Sequence, residues 1–172
     1  KNSERADKPF LVLNCASIPD TLIESELFGH EKGSFTDAYT ARQGIVEIVN
    51  GGTLLLDEIG EISTIFQPKL LRFVQTGEYR RVGGNKTLKT DVRIISATNR
   101  NLEDEVRQGR FREDLLYRLN VITLRIPPLH ERKEDIPLLV QTIIEKKNPV
   151  RLRKKVHPDS MSVLMEYDWP GN

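Results

Sequence analysis

Gly51-Gly52-Thr53-Leu54-Leu55-Leu56-Asp57-Glu58-Ile59-Gly60 joins a glycine pair, an uncharged apolar run and two adjacent carboxylates. A run this short, bounded by glycines, suits a strand buried on both faces of a parallel sheet, although periodicity alone leaves a buried helical turn open. In open α/β sheets ligands sit just outside the carboxyl ends of the strands, so Asp57 and Glu58 emerge where chemistry is usually done. Other runs share the pattern. Phe10-Leu11-Val12-Leu13 reads as a second fully buried strand and ends in Asn14-Cys15-Ala16-Ser17, which sends Asn14 to the ligand side. Val92-Arg93-Ile94-Ile95-Ser96-Ala97 predicts a third strand, ending in Thr98-Asn99, and Val121 to Ile126 a fourth, stopped by Pro127-Pro128.

Strand-Asp-Glu is the Walker B pattern, in which Asp57 helps hold Mg²⁺ and Glu58 orients or activates the attacking water. The plainer alternative is that these acids end a strand to reach solvent or to cap a following helix. Asn99 has two readings as well. Its amide can position a water or a terminal phosphate beside Glu58, or Asn99 or Asn101 can cap the helix that begins at Leu102.

Between the strands, Pro19-Asp20 starts a helix through Phe28 that Gly29 stops. His30 to Tyr39 has no stable period and carries Phe35 among glycine and small residues, either as an exposed aromatic loop or as a connection whose Phe35 folds back into the core. Ser63 or Thr64 can cap a helix with Phe66, Leu70, Phe73 and Val74 at helical spacing, and Pro68 requires that helix to begin near it or to kink. Gly83-Gly84-Asn85 predicts a hairpin or long loop within Glu78 to Thr90. Phe111, Leu115, Leu116 and Leu119 give a further helix a buried stripe with Arg112 and Arg118 on its flanks, where Arg118 can pair with Asp114. Asp135 can cap a helix with Pro137 in its first turn, and a last helix begins near Asp159 beyond a basic turn, Lys146-Lys147 and Arg151 to Lys155.

The 172 residues suffice for one domain with a core, and 30% charged with 38% hydrophobic residues is an ordinary soluble composition. No apolar run is long enough to span a membrane. A formal charge of +1 gives no general footprint for nucleic acid. The single cysteine, Cys15, excludes an internal disulfide, fits a reducing compartment and reads as a small buried hydrophobe rather than a catalytic thiol.

Several stretches, in order, resemble the central AAA+ ATPase domain of bacterial enhancer-binding proteins, the NtrC-like activators of sigma-54 RNA polymerase. Glu26 to Ala38 is similar to the family's hallmark stretch, Gly51 to Gly60 to its Walker B, Ala97-Thr98-Asn99 to its sensor I, Phe111 to Asn120 to its arginine-finger helix, and Glu131 to Ile136 to the entry of its helical lid. The resemblance covers essentially the whole chain. It implies an α/β fold: a partial AAA+ P-loop NTPase, with a parallel sheet flanked by helices over residues 1–128 and the start of a helical lid over 129–172.

The resemblance also assigns roles. Asp57 would serve Mg²⁺ and ATP, with an indirect hold on the metal, Glu58 would activate water, Asn99 would sense the γ-phosphate, and Asn14 would hold Glu58 until the partner is engaged. Arg112 and Arg118 would reach into a neighbouring subunit's site within a hexameric ring. Gly33, Ser34, Phe35, Thr36, Asp37 and Ala38 would form the loop that meets sigma-54. A bacterial cytoplasmic location is implied, with DNA binding left to a separate domain.

The chain departs from the family pattern in places. Its loop has Ser34 and Asp37 where the family usually reads Gly-Ala-Phe-Thr-Gly-Ala, which narrows the backbone choices and adds a charge at the tip. His130 stands where Arg is common. No Gly-x-x-x-x-Gly-Lys-Ser/Thr occurs, although that loop supplies most of a phosphate cradle and in the family lies upstream of Lys1; the sensor II arginine is expected beyond Asn172. The expected function is therefore part of an ATP-driven transcription activator with little ATPase activity alone. The alternative is a degenerate AAA+ module that assembles or binds a partner without hydrolysis. A metal-dependent nuclease is disfavoured, because no further acidic or histidine cluster accompanies Asp57 and Glu58.

Overall fold

The computed structural model describes residues 3–147 and 156–170, and the expected basic turn from Arg151 to Lys155 lies outside them. In chain order the regular elements are β1 (Phe10–Asn14), α1 (Asp20–Phe28), β2 (Gly29–His30), β3 (Arg42–Gln43), α2 (Ile45–Ile48), β4 (Thr53–Asp57), α3 (Gln67–Thr76) and β5 (Glu78–Tyr79). They continue with β6 (Leu88–Lys89), β7 (Arg93–Ser96), α4 (Leu102–Arg107), α5 (Glu113–Leu119), α6 (Ile136–Lys147) and α7 (Pro158–Glu166). The chain divides into two units, Lys1–Ile122 and Thr123–Asn172.

In the first unit β1, β4 and β7 form a parallel sheet in the order β1-β4-β7. Leu13, Leu54 and Leu56 from the sheet join Ile23 and Leu27 of α1, Leu70 and Phe73 of α3 and Leu115 of α5 in one buried cluster. Phe28 is its aromatic hub, with ring centroids 5.8 Å from Phe66, 5.7 Å from Phe73 and 5.6 Å from Tyr79. The expected burial of the strands on both faces is corrected. Leu54 and Leu56 are buried, but the alternate row Val12, Leu55 and Ile95, aligned by the register, is only partly covered, with Val12 55% and Ile95 42% exposed. An uncharged run records that neither face repels apolar neighbours; it does not record whether helices cover both.

The helix boundaries follow local chemistry. Gly29 ends α1 at φ 80°, where an added Cβ would meet Arg42 O at 2.5 Å, so this position needs glycine for conformation and for space. α3 begins at Gln67 with Pro68 in its first turn, which removes the need for a kink. Ser63 and Thr64 do not cap it: Phe66 holds the cap position without a side-chain bond, and the Ser63 carbonyl accepts from the Phe66 and Gln67 amides. Asn101 caps α4, accepting from Glu103 N at 3.1 Å and Asp104 N at 3.4 Å. β5 and β6 pair antiparallel, which gives the expected hairpin.

The fourth strand expected at Val121 to Ile126 does not form. Among the described residues this segment joins no ladder, and Val121, Ile122, Leu124 and Ile126 are 73–86% exposed. Strand preference expresses fit to a pleated, half-buried surface, so apolar β-branched residues without a hydrogen-bonded neighbour stay irregular.

In the second unit the turns Leu129–Glu131 and Lys133–Asp135 lead into α6. Leu129 and Ile136 are buried. Trp169 Nε1 donates to Leu164 O at 2.8 Å, and Lys133 Nζ donates to Glu166 O at 3.3 Å, which ties the entry turn to the end of α7. Asp135 lies 3.5 Å from Arg132, and His130 is exposed 3.8 Å from Glu131.

Candidate active site

The register places Asn14 directly opposite Asp57, and Leu56 opposite Ser96, so the carboxyl ends of all three strands reach one edge. The ladder continues past β4, because Ala97 N donates to Leu56 O and Ile59 N donates to Ala97 O, both at 2.9 Å. Glu58 is therefore held between two backbone bonds to the segment that leads into Thr98 and Asn99. Its backbone is left-handed, φ 52° and ψ 46°, at a cost of about 1–2 kcal/mol for a residue other than glycine. Asp57 Oδ1 accepts from Glu58 N at 3.0 Å, which steadies both the turn and the Asp57 carboxylate. Glu58 Oε2 is buried and has no hydrogen-bond partner among the described residues. A desolvated carboxylate oxygen left unpaired in a strained turn is costly, and strain of this kind collects where the chain presents a reacting group.

Asn14 shares the edge but not a bond with Glu58. Its Oδ1 accepts from Ala16 N at 2.9 Å and Ser17 N at 3.2 Å and so caps the short turn Cys15–Ser17. Asn99 lies exposed in the bend after β7 and, since Asn101 caps α4, is not the cap residue. Cys15 is buried beside this edge, and burial, aided by the charges of Asp57 and Glu58, pushes its thiol up to about 11.

Among the described residues neither Arg112 nor Arg118 bonds Asp57 or Glu58. Arg112 Nε and Nη2 bond both Asp114 oxygens at 3.0 and 2.7 Å, and this pair holds the Asp114 carboxyl below its usual range. The expected Arg118–Asp114 pair is thereby corrected: Asp114 turns to Arg112, and Arg118 Nη2 donates to Gln75 O at 3.4 Å. Both arginines remain exposed.

The loop from Gly33 to Ala38 is stitched by its own backbone. Gly33 N donates to Ala38 O at 2.8 Å and Ala38 N to Phe35 O at 3.0 Å. Ala38 is buried, whereas Phe35 is 36% exposed with its ring edge-on to His30, centroids 5.0 Å apart, so Phe35 neither enters the core nor stands free. Thr36 and Asp37 are exposed, and Asp37 has no positive φ, so it fits without backbone strain where the family usually has glycine. Ser34 lies against the second loop: a Cβ added at Gly83 would come within 2.6 Å of Ser34 Cβ.

Could these residues serve a metal? Among the described residues no three His, Cys, Asp or Glu side chains lie together to hold an ion. Mg²⁺ commonly takes one or two carboxylates and completes its shell with phosphate oxygens and waters, which the Asp57–Glu58 pair fits.

A family model described as the Sigma-54 interaction domain matches residues 1–125, and one described as the AAA+ ATPase lid domain matches residues 130–172. The chain belongs to the sigma-54 interaction domain family. It is 57% identical over 171 residues to the Nif-specific regulatory protein of Azotobacter vinelandii, covering 99% of this chain and 33% of that protein. It is 54% identical over 173 residues to the regulatory protein AtoC of Escherichia coli strain K12, covering 99% and 38%. The chain thus spans about a third of the length of these relatives. Its structure is similar to NtrX from Brucella abortus in complex with ATP, with a TM-score of 0.86 and 40% identity over 98% of this chain and 37% of that one. NtrX in complex with ADP gives 0.85 and 41% over 98% and 37%. The architecture is that of AAA+ ATPases.

Three features of this sigma-54 interaction domain lie outside its motifs. Arg81 reaches Glu47 with Nε and Nη2 at 2.9 and 2.7 Å and Glu31 with Nη1 at 3.1 Å, and the Glu31 and Val82 amides donate to Val82 O and Gly29 O. This joins the Gly33–Ala38 loop to the Gly83–Gly84 loop. Arg100 bonds Glu61 at 2.6 Å and lies 3.5 Å from Glu105, which links the turn after Glu58 to α4. Gln67, fully buried in the first turn of α3, bonds the backbone before α5. The Arg80-Arg81 doublet and a glutamine on an apolar stripe were the available sequence signals.

Proposed function

We propose that Asp57, Glu58 and Asn99 form the metal and water side of an ATP site, with Asn14 at its rim. In the intact protein a phosphate-binding loop elsewhere in the chain and the Arg112 and Arg118 of a neighbouring subunit complete the site in a hexameric ring. Glu58 accepts a proton from the attacking water, and its buried, unpartnered Oε2 is the observation that carries this reading. Asp57 and the nucleotide phosphates would hold Mg²⁺, which when bound offsets phosphate charge. Asn99, exposed in the bend after β7, would turn its amide to the terminal phosphate. The nucleotide complexes of NtrX support ATP as the ligand.

The ATP cycle drives the Gly33–Ala38 loop against sigma-54 RNA polymerase, with Phe35 and Thr36 as the contacting pair and Ser34 and Asp37 modifying the tip. The whole protein is a signal-responsive, cytoplasmic transcription activator of the two-component or a related class, with residues 1–128 as the nucleotide-binding part and 129–172 as the start of the lid. DNA recognition belongs to another domain. Residues 1–172 alone should hydrolyse ATP weakly, since they contain no Gly-x-x-x-x-Gly-Lys-Ser/Thr. The test compares Mg²⁺-dependent ATP hydrolysis of residues 1–172 with that of the intact protein. Turnover confined to the intact protein is expected; equal absence of turnover in both would favour a non-catalytic assembly module.

A further inference from the structure

Gln67 is the most deeply buried polar side chain among the described residues, with no exposed surface, and all of its hydrogen-bonding groups meet backbone. Its Nε2 donates to Ile62 O at 3.2 Å and to Arg110 O at 2.8 Å, while its Oε1 accepts from Arg112 N at 2.8 Å. Two carbonyls on one side and one amide on the other leave a single orientation of the side-chain amide that satisfies every group. The partners are distant in sequence, 43 and 45 residues away for Arg110 and Arg112. Arg112 occupies the cap position of α5, where the backbone is extended, φ −79° and ψ 133°, and no side chain caps the helix. The Arg112 N–H therefore has its partner in Gln67 rather than in the helix.

We infer that Gln67 is a positioning residue for Arg112, fixing the backbone from which the guanidinium leaves the surface toward a neighbouring subunit. The inference rests on the proposed role of Arg112 in trans. The neighbourhood is built for this. Gly109 turns the chain at φ 70°, Arg110 N and Phe111 N both donate to Glu105 O, and Phe111 is buried, so the segment is clamped on one side by α4 and on the other by Gln67. The side chains left outside are those of Arg110, paired with Glu105 of its own chain, and Arg112, at the start of α5. The Ile62 bond adds a second attachment: Ile62 closes the turn Ile59–Glu61 that follows Glu58. One amide thus spans the turn beyond a subunit's own catalytic carboxylate and the arginine that the same subunit offers to its neighbour.

Gln67→Met keeps length and apolar volume and removes all three bonds. In the intact protein it should leave ring assembly and the KM for ATP near normal and lower kcat about tenfold to a hundredfold, the range expected when a transition-state charge is misplaced. The deciding readout is mixing. Rings combining Gln67→Met with Glu58→Gln subunits bring a sound finger from the second to a sound site in the first, so hydrolysis should rise several-fold above the average of the two homomeric proteins. Arg112→Ala mixed with Glu58→Gln is the control. If that control does not recover activity, the reading of Arg112 as a trans finger fails. If it recovers and the Gln67→Met mixture does not, or if Gln67→Met alone turns over normally, the positioning role is overturned. Should Gln67→Met not assemble, Gln67→Leu, which also removes all three bonds, takes its place in the mixing assay with the same outcomes.

Discussion

Glu58 and Cys15 show what one residue's surroundings impose. Glu58 keeps a left-handed backbone that glycine would adopt freely, and the backbone bonds on either side of it hold the carboxylate at the strand end. Cys15, behind the same edge, has its thiol raised from 9.0 to about 11, chiefly by burial and then by the charges of Asp57 and Glu58. The sign follows directly. The folded state holds the Cys15 proton more tightly than the unfolded chain, so stability is intact below pH 9.0 and declines as pH rises towards about 11. Cys15→Ala should flatten that alkaline decline in urea titrations. Iodoacetamide at pH 8 should label Cys15 slowly in the folded protein and rapidly after unfolding, because the thiolate is the nucleophile. Rapid labelling of folded protein would show that the thiol is neither buried nor raised.

At the scale of elements, the sheet and the two linked loops make separable predictions. Leu54 is fully buried between β1 and β7, and Leu54→Ala should cost about 2–5 kcal/mol in urea unfolding of this chain. Val12 lies on the partly covered face, and Val12→Ala should cost under about 1 kcal/mol. Equal costs would mean that both faces are packed. Between the loops, the hydrogen bond from Arg81 holds the Glu47 carboxyl below its ordinary range. A carboxylate lowered by folding stabilises above the ordinary glutamate range, and that contribution is lost as pH falls through the lowered value. Glu47→Gln should therefore weaken the acid dependence of stability and speed hydrogen exchange at the Val82 amide, which bonds Gly29 across the junction. Unchanged exchange at Val82 would show that Arg81 does not hold the loops together.

Across the whole molecule, legibility in the sequence divides along the same lines. The β1, β4 and β7 strands and the shared edge of Asn14 and Asp57 were readable because each rests on a short local run and on the rule that ligands meet strand ends. Val121 to Ile126 misled because a strand needs a hydrogen-bonded neighbour, which composition does not report. The coverage of Val12, Leu55 and Ile95 was unreadable for a related reason: apolar character permits burial but does not supply the helix that performs it. Gln67 was hidden because two of its three partners are backbone atoms more than 40 residues away, and no local pattern encodes a carbonyl's position.

The proposed function divides the site between a subunit's own carboxylates and the arginines that it would present to a neighbour. Asp57 and Glu58 sit at the sheet edge, while among the described residues Arg112 and Arg118 bond within the α3 and α5 region. The most direct measurement is ATP binding and hydrolysis by the intact protein carrying Glu58→Gln, followed in parallel by equilibrium nucleotide binding and phosphate release. Glutamine preserves the shape of the turn and removes the base, so near-normal ATP affinity with phosphate release reduced at least about a hundredfold is expected. Phosphate release at the unmodified rate would show that Glu58 does not activate the attacking water.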